Sequence, residues 1–170
     1  MDTHSTSSAA LFRSDAAPLP GSDSTAASAI EFLHFGEPGA RPKAYLQAGL
    51  HADEFPGMLV LRRLAEMLSD AAARGEIIGE VVLAPAANPI GLKQVHSGFL
   101  LGRACAETGE NFNRNFPALA EGVALKVGPA LAGDAAQNTR EIRRAMGELL
   151  DDRSAERPVD ALRLALMRRA

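Results

Sequence analysis

The chain has a single cysteine, Cys105, among its 170 residues. It cannot close an internal disulfide, so nothing in the sequence points to an oxidising compartment. As a nucleophile it lacks an identifiable activating partner. Charge of one sign is also missing: 18 basic residues face 21 acidic ones, and no long run of either kind occurs. That argues against nucleic acid as the main partner, because phosphate binding needs clustered Lys and Arg. No apolar run approaches the ~18–20 residues needed to cross a bilayer. The N-terminus has neither the basic nor the apolar region of a signal peptide. These absences leave a soluble cytoplasmic protein, with no membrane partner, as the expectation. The phosphate- and dinucleotide-binding glycine motifs and the G-x-S-x-G elbow are absent as well, as is any internal repeat.

What is present suffices for one domain. An apolar fraction of 46% over 170 residues supports a sizeable core. Residues 1–24, rich in Ser, Thr, Ala and Asp, read as a flexible tail, and residues 25–170 as the folded part. Ile30–Phe35 has strand composition, and residues 36–42 read as a turn. Residues 43–50 are mostly apolar and read as an inner strand buried on both faces. Pro56 and Gly75 bracket a helix, with Val60, Leu61, Leu64, Met67, Leu68 and Ala71 on its apolar face. A second buried strand over 77–84 completes a β-α-β unit. The fold class is therefore α/β, with a mixed, partly parallel sheet flanked by helices. Residues 91–133 show little regular structure, and a loop of that length in a compact domain is usually functional or disordered. Two helices close the chain. Thr139 is a candidate cap for the first, with Ile142, Met146, Leu149 and Leu150 on one face. The second opens at Pro158 and buries Val159, Leu162, Ala165 and Leu166.

Three places carry residues suited to chemistry. His51-Ala-Asp-Glu54 lies between the first β-α-β strand and its helix. An imidazole and a carboxylate three residues apart at such a turn can bind one metal ion, and zinc accepts both ligand types. The alternative is a strand-end His beside a Glu that interacts with the helix dipole. Here Glu54 is a candidate ligand and not a general base, because the residue four after His51 is Phe55 and not a second His. Asn113-Arg114, inside Asn111-Phe-Asn-Arg-Asn-Phe-Pro117, can grip a carboxylate through the guanidinium fork and the amide, provided the segment is irregular enough to aim both at one ligand. Otherwise both satisfy loop carbonyls. Arg103, in the same long loop, could stabilise charge developing on a carbonyl oxygen, or could be a solvated surface residue.

In order along the chain, His-x-x-Glu after a strand, Ala87-Asn88-Pro89 after the next strand, and the Asn-Arg-x-Phe segment resemble the succinylglutamate desuccinylase/aspartoacylase family over roughly residues 28–170. Many members carry Gly after the His, where Ala52 stands here. The resemblance implies a zinc-exopeptidase or carboxypeptidase-like fold. It also implies a zinc-dependent deacylase that cleaves the amide of an N-acyl amino acid or similar small carboxylate. His51 and Glu54 would then be zinc ligands, Asn113 and Arg114 would hold the substrate carboxylate, and Arg103 would be the oxyanion arginine. A carboxypeptidase-like peptidase would use the same residues.

The resemblance further implies a third ligand, a His in an Asp-Leu-His segment beyond a helix like Val159–Arg169, and a Glu base beyond that. The chain has no His after His96, the one candidate replacement, and His96 stands in a stretch matching a family loop without a ligand. The expectation is thus an incomplete catalytic domain, the N-terminal part of a longer deacylase and inactive alone. A fragment without catalytic activity is the reading from another class.

Overall fold

The computed structural model describes residues 12–20 and 29–170. Its centre is a four-stranded mixed sheet in the order β1-β2-β4-β3. The strands are β1 (Phe12–Pro18), β2 (Ala29–Gly36), β3 (Lys43–Gln47) and β4 (Glu80–Ala84). β3 and β4 run parallel, in the register Ala44 to Val81 and Leu46 to Leu83, and β2 is antiparallel to both β4 and β1. The parallel pair expected from the β-α-β pattern is therefore present, joined by helix α1 (Phe55–Ala73).

Side chains alternate across the strands, and this divides the core into two layers. Ile30, Phe32, Val82 and Ala84 face one way and meet Leu162 and Leu166 of helix α4 (Pro158–Arg169). Leu33, Phe35 and Leu83 face the other way and meet Leu61 and Ala72 of α1. Burying each of these larger side chains contributes about 1.5–3 kcal/mol. The β3–β4 approach is tightened at Gly79, which has φ +89°. A Cβ there would lie 2.1 Å from the Pro42 carbonyl oxygen, so only glycine fits.

The structure corrects several expectations. β3 is an edge strand and not an inner one among the described residues, with Ala44 and Gln47 exposed. Its apolar character serves the two faces, Tyr45 packing toward α4 and Leu46 toward α1. Residues 12–18, placed in the tail, form strand β1. Their composition is poor in strand formers, but Phe12 packs on Phe35 with ring centroids 5.1 Å apart, and Arg13 reaches Glu80 at 3.2 Å. The remainder of the expected tail, 1–11 and 21–24, lies outside the described residues. On α1, Val60 and Met67 are exposed, and Leu64, Ala65 and Leu68 complete the buried stripe with Leu61 and Ala72.

The long segment 91–133 also holds more order than its composition indicates. It contains a short 3-10 turn at Gly91–Lys93, a hairpin of β5 (Val95–His96) and β6 (Phe99–Leu100), and helix α2 (Ala120–Val127). α2 escapes a sequence reading because Leu119 offers no capping side chain. Tertiary contact holds it, with Leu119 in one cluster with Leu150 and Leu164. Helix α3 (Ala135–Asp151) is capped by Asp134, which accepts from the Ala136 and Gln137 amides. Thr139 lies inside that helix and donates to the Ala135 carbonyl. Met146, expected on the buried face of α3, is exposed, while Ala145 is buried. Among the described residues no helix is long and apolar enough to cross a membrane.

Candidate metal and carboxylate site

The candidate residues gather where the two parallel strands end. Beyond Gln47, the backbone continues to follow β4: the Ala48 amide donates to the Ala84 carbonyl, and the Ala87 amide to the Ala48 carbonyl. Asn88, fully buried, ties the two exits together. Its Nδ2 donates to the Leu50 carbonyl at 2.8 Å, and its Oδ1 accepts from the Gly91 amide at 2.8 Å. The Asn88-Pro89 signal seen in the sequence is thus the clamp that fixes the strand end from which His51 projects.

His51 is 7% exposed. The Glu54 amide donates to the His51 carbonyl at 3.0 Å, so the chain makes a tight turn and then enters α1, with Pro56 in its first turn. Both side chains are returned to one side, and His51 Nδ1 stands 3.2 Å from Glu54 Oε1. A loop crosses above this turn. The Ala52 amide donates to the Gly102 carbonyl at 2.9 Å, and a Cβ on Gly102 would lie 2.4 Å from the Asp53 nitrogen. That close approach carries Arg103 to the site, where its Nη1 donates to Glu54 Oε1 at 3.1 Å. The contact with the His51 ring holds the Glu54 carboxyl below the usual carboxylate range; burial opposes this, and the Arg103 guanidinium adds to the lowering.

The Asn-Arg segment arrives from the far side of the same loop. A bridge between Ala104 and Asn111, and a bond from the Phe112 amide to the Arg103 carbonyl, fasten it to the Arg103 strand of the loop. The backbone then turns: the Arg114 amide bonds the Asn111 carbonyl, and Asn115 has φ +57°. The irregularity that joint use of Asn113 and Arg114 requires is therefore present. Both side chains are exposed, and the Arg114 guanidinium donates to the Asn113 carbonyl at 2.6 Å. Asn113 is linked to His51 through its amide, which donates to Asn111 Oδ1 at 2.8 Å. That same oxygen lies 2.9 Å from His51 Nε2.

The structure thus brings His51 and Arg103 each into contact with Glu54 and connects Asn113 and Arg114 to His51 through Asn111. Sequence reasoning left Asn111 without a role, although its place two residues before Asn113 was the available signal. It also missed Arg163 of α4, which is 1% exposed, pairs with Asp160 at 2.9 Å and donates to the Asn111 carbonyl at 3.3 Å. His96 lies exposed on β5, and Cys105 is buried beside Phe112 and Val159.

His51 and Glu54 could supply two ligands of a divalent ion. Two ligands held at about 2.0–2.1 Å on neighbouring corners of a zinc tetrahedron stand ~3.3 Å apart, close to the 3.2 Å between His51 Nδ1 and Glu54 Oε1. Among the described residues no third His, Cys, Asp or Glu joins them in a metal-ligating group.

No curated protein matches the chain. Two solved structures share its fold. One is described as a succinylglutamate desuccinylase/aspartoacylase of Shewanella frigidimarina, with TM-score 0.77, 23% identity, and coverage of 92% of this chain and 42% of that one. The other is described as a succinylglutamate desuccinylase/aspartoacylase family protein of Shewanella amazonensis, with TM-score 0.76, 23% identity, and coverage of 91% and 42%. The chain therefore spans less than half the length of these relatives. The family model for the succinylglutamate desuccinylase/aspartoacylase catalytic domain matches residues 40–156, a span that contains His51, Glu54, Arg103, Asn113 and Arg114. By that match, which takes in well over half of its residues, the chain belongs to the succinylglutamate desuccinylase/aspartoacylase family.

Proposed function

We propose that this chain carries part of the active site of a zinc-dependent deacylase that cleaves the amide of an N-acyl amino acid or a similar small carboxylate. The observation that carries the reading is the convergence of His51 Nδ1 and Glu54 Oε1 at 3.2 Å, at the carboxyl end of parallel strands and beside Arg103. Open α/β sheets commonly bind ligands at that end.

In this reading His51 and Glu54 hold the metal. A zinc ion bound there would supply Lewis acidity and lower the pKa of a bound water toward ~7. Arg103, held at the rim by Glu54, places a guanidinium where charge develops on the amide oxygen. Asn113 and Arg114 bind the substrate carboxylate, the guanidinium leaving the Asn113 carbonyl to form a bidentate pair. That grip fixes the distance from carboxylate to scissile amide and so selects short N-acyl amino acids.

Two measurements test this. Zinc binding by the 170-residue chain, followed by chelator competition, should be weak and should vanish in His51→Ala. The longest reading frame that contains these residues should release amino acid from N-acyl amino acids, and His51→Ala should abolish that release. Zinc binding that survives both His51→Ala and Glu54→Gln would overturn the metal assignment. Tight zinc binding with no turnover of any N-acyl amino acid by the longest frame would leave a carboxylate-binding protein in place of a deacylase.

A further inference from the structure

Arg103 reaches Glu54 through a solvent-exposed pair, and exposed pairs hold a long side chain only weakly. The place of its guanidinium therefore depends on how firmly its backbone is held. The Gly102 carbonyl accepts from the Ala52 amide at 2.9 Å, and the Arg103 carbonyl accepts from the Phe112 amide at 3.2 Å. The backbone on either side of these two groups is held by one side chain, Gln94.

Gln94 Nε2 donates to the Leu101 carbonyl at 2.7 Å and to the Ala104 carbonyl at 2.8 Å. Its Oε1 accepts from the Ala106 amide at 2.7 Å. Carbonyls only accept and a backbone amide only donates, so these partners fix which end of the side chain is oxygen. Both N–H groups of the amide are used, and they bracket Gly102-Arg103 from before and after.

The base of this brace is also fixed. The Gln94 amide donates to the Gly91 carbonyl at 3.1 Å, and the Gln94 carbonyl accepts from the Leu101 amide at 2.7 Å. Gly91 is tied in turn to Asn88 Oδ1. Contacts thus run without a break from the clamp at the strand exits, through Gly91 and Gln94, to the loop that carries Arg103.

We propose that Gln94 is the positioning residue for Arg103: its side-chain amide holds the loop so that the guanidinium stands over Glu54. The inference rests on the reading of Arg103 given above for its purpose, but the bracing is a property of the metal-free chain.

The test uses Gln94→Met, which keeps the length of the side chain and removes its donors and acceptor. In the 170-residue chain labelled with nitrogen-15 and freed of metal, the Arg103 backbone order parameter should be near ~0.85 in the parent. It should fall toward ~0.6 or below in the variant. Zinc titration of the parent, Gln94→Met, Arg103→Ala and the double variant then forms a cycle. A released arginine no longer competes for Glu54, so Gln94→Met should tighten zinc by at most the about two- to fivefold expected of Arg103→Ala. It should add nothing once Arg103 is gone. A brace that served only the fold would act equally with and without Arg103. In the longest reading frame, Gln94→Met should lower kcat for N-acyl amino acids by up to about 100-fold with KM little changed.

An Arg103 backbone as rigid in Gln94→Met as in the parent would overturn the proposal. So would weaker zinc binding, or effects of the two substitutions that add. If Gln94→Met fails to fold, Gln94→Asn, whose amide falls one methylene short, decides between the same outcomes. A chain that binds no zinc would refute the metal reading, and the order parameter of Arg103 would then decide the role of Gln94. A longest frame without turnover would refute the deacylase reading and leave the cycle to decide it.

Discussion

Arg103 and His51 address the same oxygen of Glu54: Arg103 Nη1 lies 3.1 Å from Oε1, and His51 Nδ1 lies 3.2 Å from it. A metal bound between His51 and Glu54 must share that oxygen with the arginine or displace it. The Arg103–Glu54 pair is solvent-exposed, and exposed pairs are weak. Arg103→Ala should therefore tighten zinc binding by about two- to fivefold, while lowering amide hydrolysis in the longest reading frame. Isothermal titration of the parent and variant chains checks the first part, and weaker binding by Arg103→Ala would mean that the arginine assists the metal site.

Gly102 sets how closely the Arg103 loop lies on the His51 turn. A Cβ there would meet the Asp53 nitrogen at 2.4 Å and the Ala52 carbonyl carbon at 2.7 Å, both backbone atoms that cannot rotate away. Gly102→Ala should cost about 1–3 kcal/mol of stability, the usual range for overpacking. It should also loosen zinc binding, because the turn that joins His51 to Glu54 is pushed aside. Urea unfolding and metal titration on one preparation would show the two losses together.

Asn88 is the one fully buried polar side chain in the clamp between the strand exits. Removing it leaves the Leu50 carbonyl and the Gly91 amide without their partner. Asn88→Ala should destabilise the chain by about 1–3 kcal/mol for each group left bare. Asn88→Asp should fare no better, since a carboxylate oxygen would then face the Leu50 carbonyl. A melting temperature within a degree of the parent in both variants would contradict this account.

Glu80, on β4, is buried. Burial raises its pKa, but the Arg13 guanidinium, the Gly39 amide and nearby Lys43 outweigh that and hold the carboxyl below its ordinary value. A depressed folded-state pKa means that the stabilisation is fully present above the unfolded value of ~4.3 and is lost as pH falls through the folded value. Glu80→Gln should therefore reduce stability at neutral pH and flatten the acid limb of the stability curve below about pH 4.3. Denaturant midpoints measured between neutral pH and about pH 3 provide the check. Equal acid sensitivity in parent and variant would remove Glu80 from the account.

The sequence by itself determined the elements whose cause is local. Strand composition gives β2, a short apolar run ended by turn residues gives β4, period-3.6 patterns opened by Pro give α1 and α4, and the β-α-β spacing implies the parallel pair. His51 and Glu54 were legible for the same reason: three residues across one turn hold them together whatever surrounds them. Arg103, Asn113 and Arg114 were legible as residue types within motifs, and their family pattern supplied the roles.

Only the tertiary structure decided what depends on contacts between distant residues. The pairing of β1 comes from Arg13 meeting Glu80 across the sheet, since the strand's own composition is weak. The position of β3 at an edge among the described residues is a question of neighbours, and an apolar strand has the same sequence signature with one partner as with two. α2 has no capping signal and is held by packing on α3 and α4. Asn111 and Arg163 gain their places because a loop folds over the His51 turn and a buried guanidinium fastens it from below. A side chain's hydrogen-bond partner some sixty residues away leaves no periodic trace in the chain, so the orientation of His51 became visible only once those segments lay side by side.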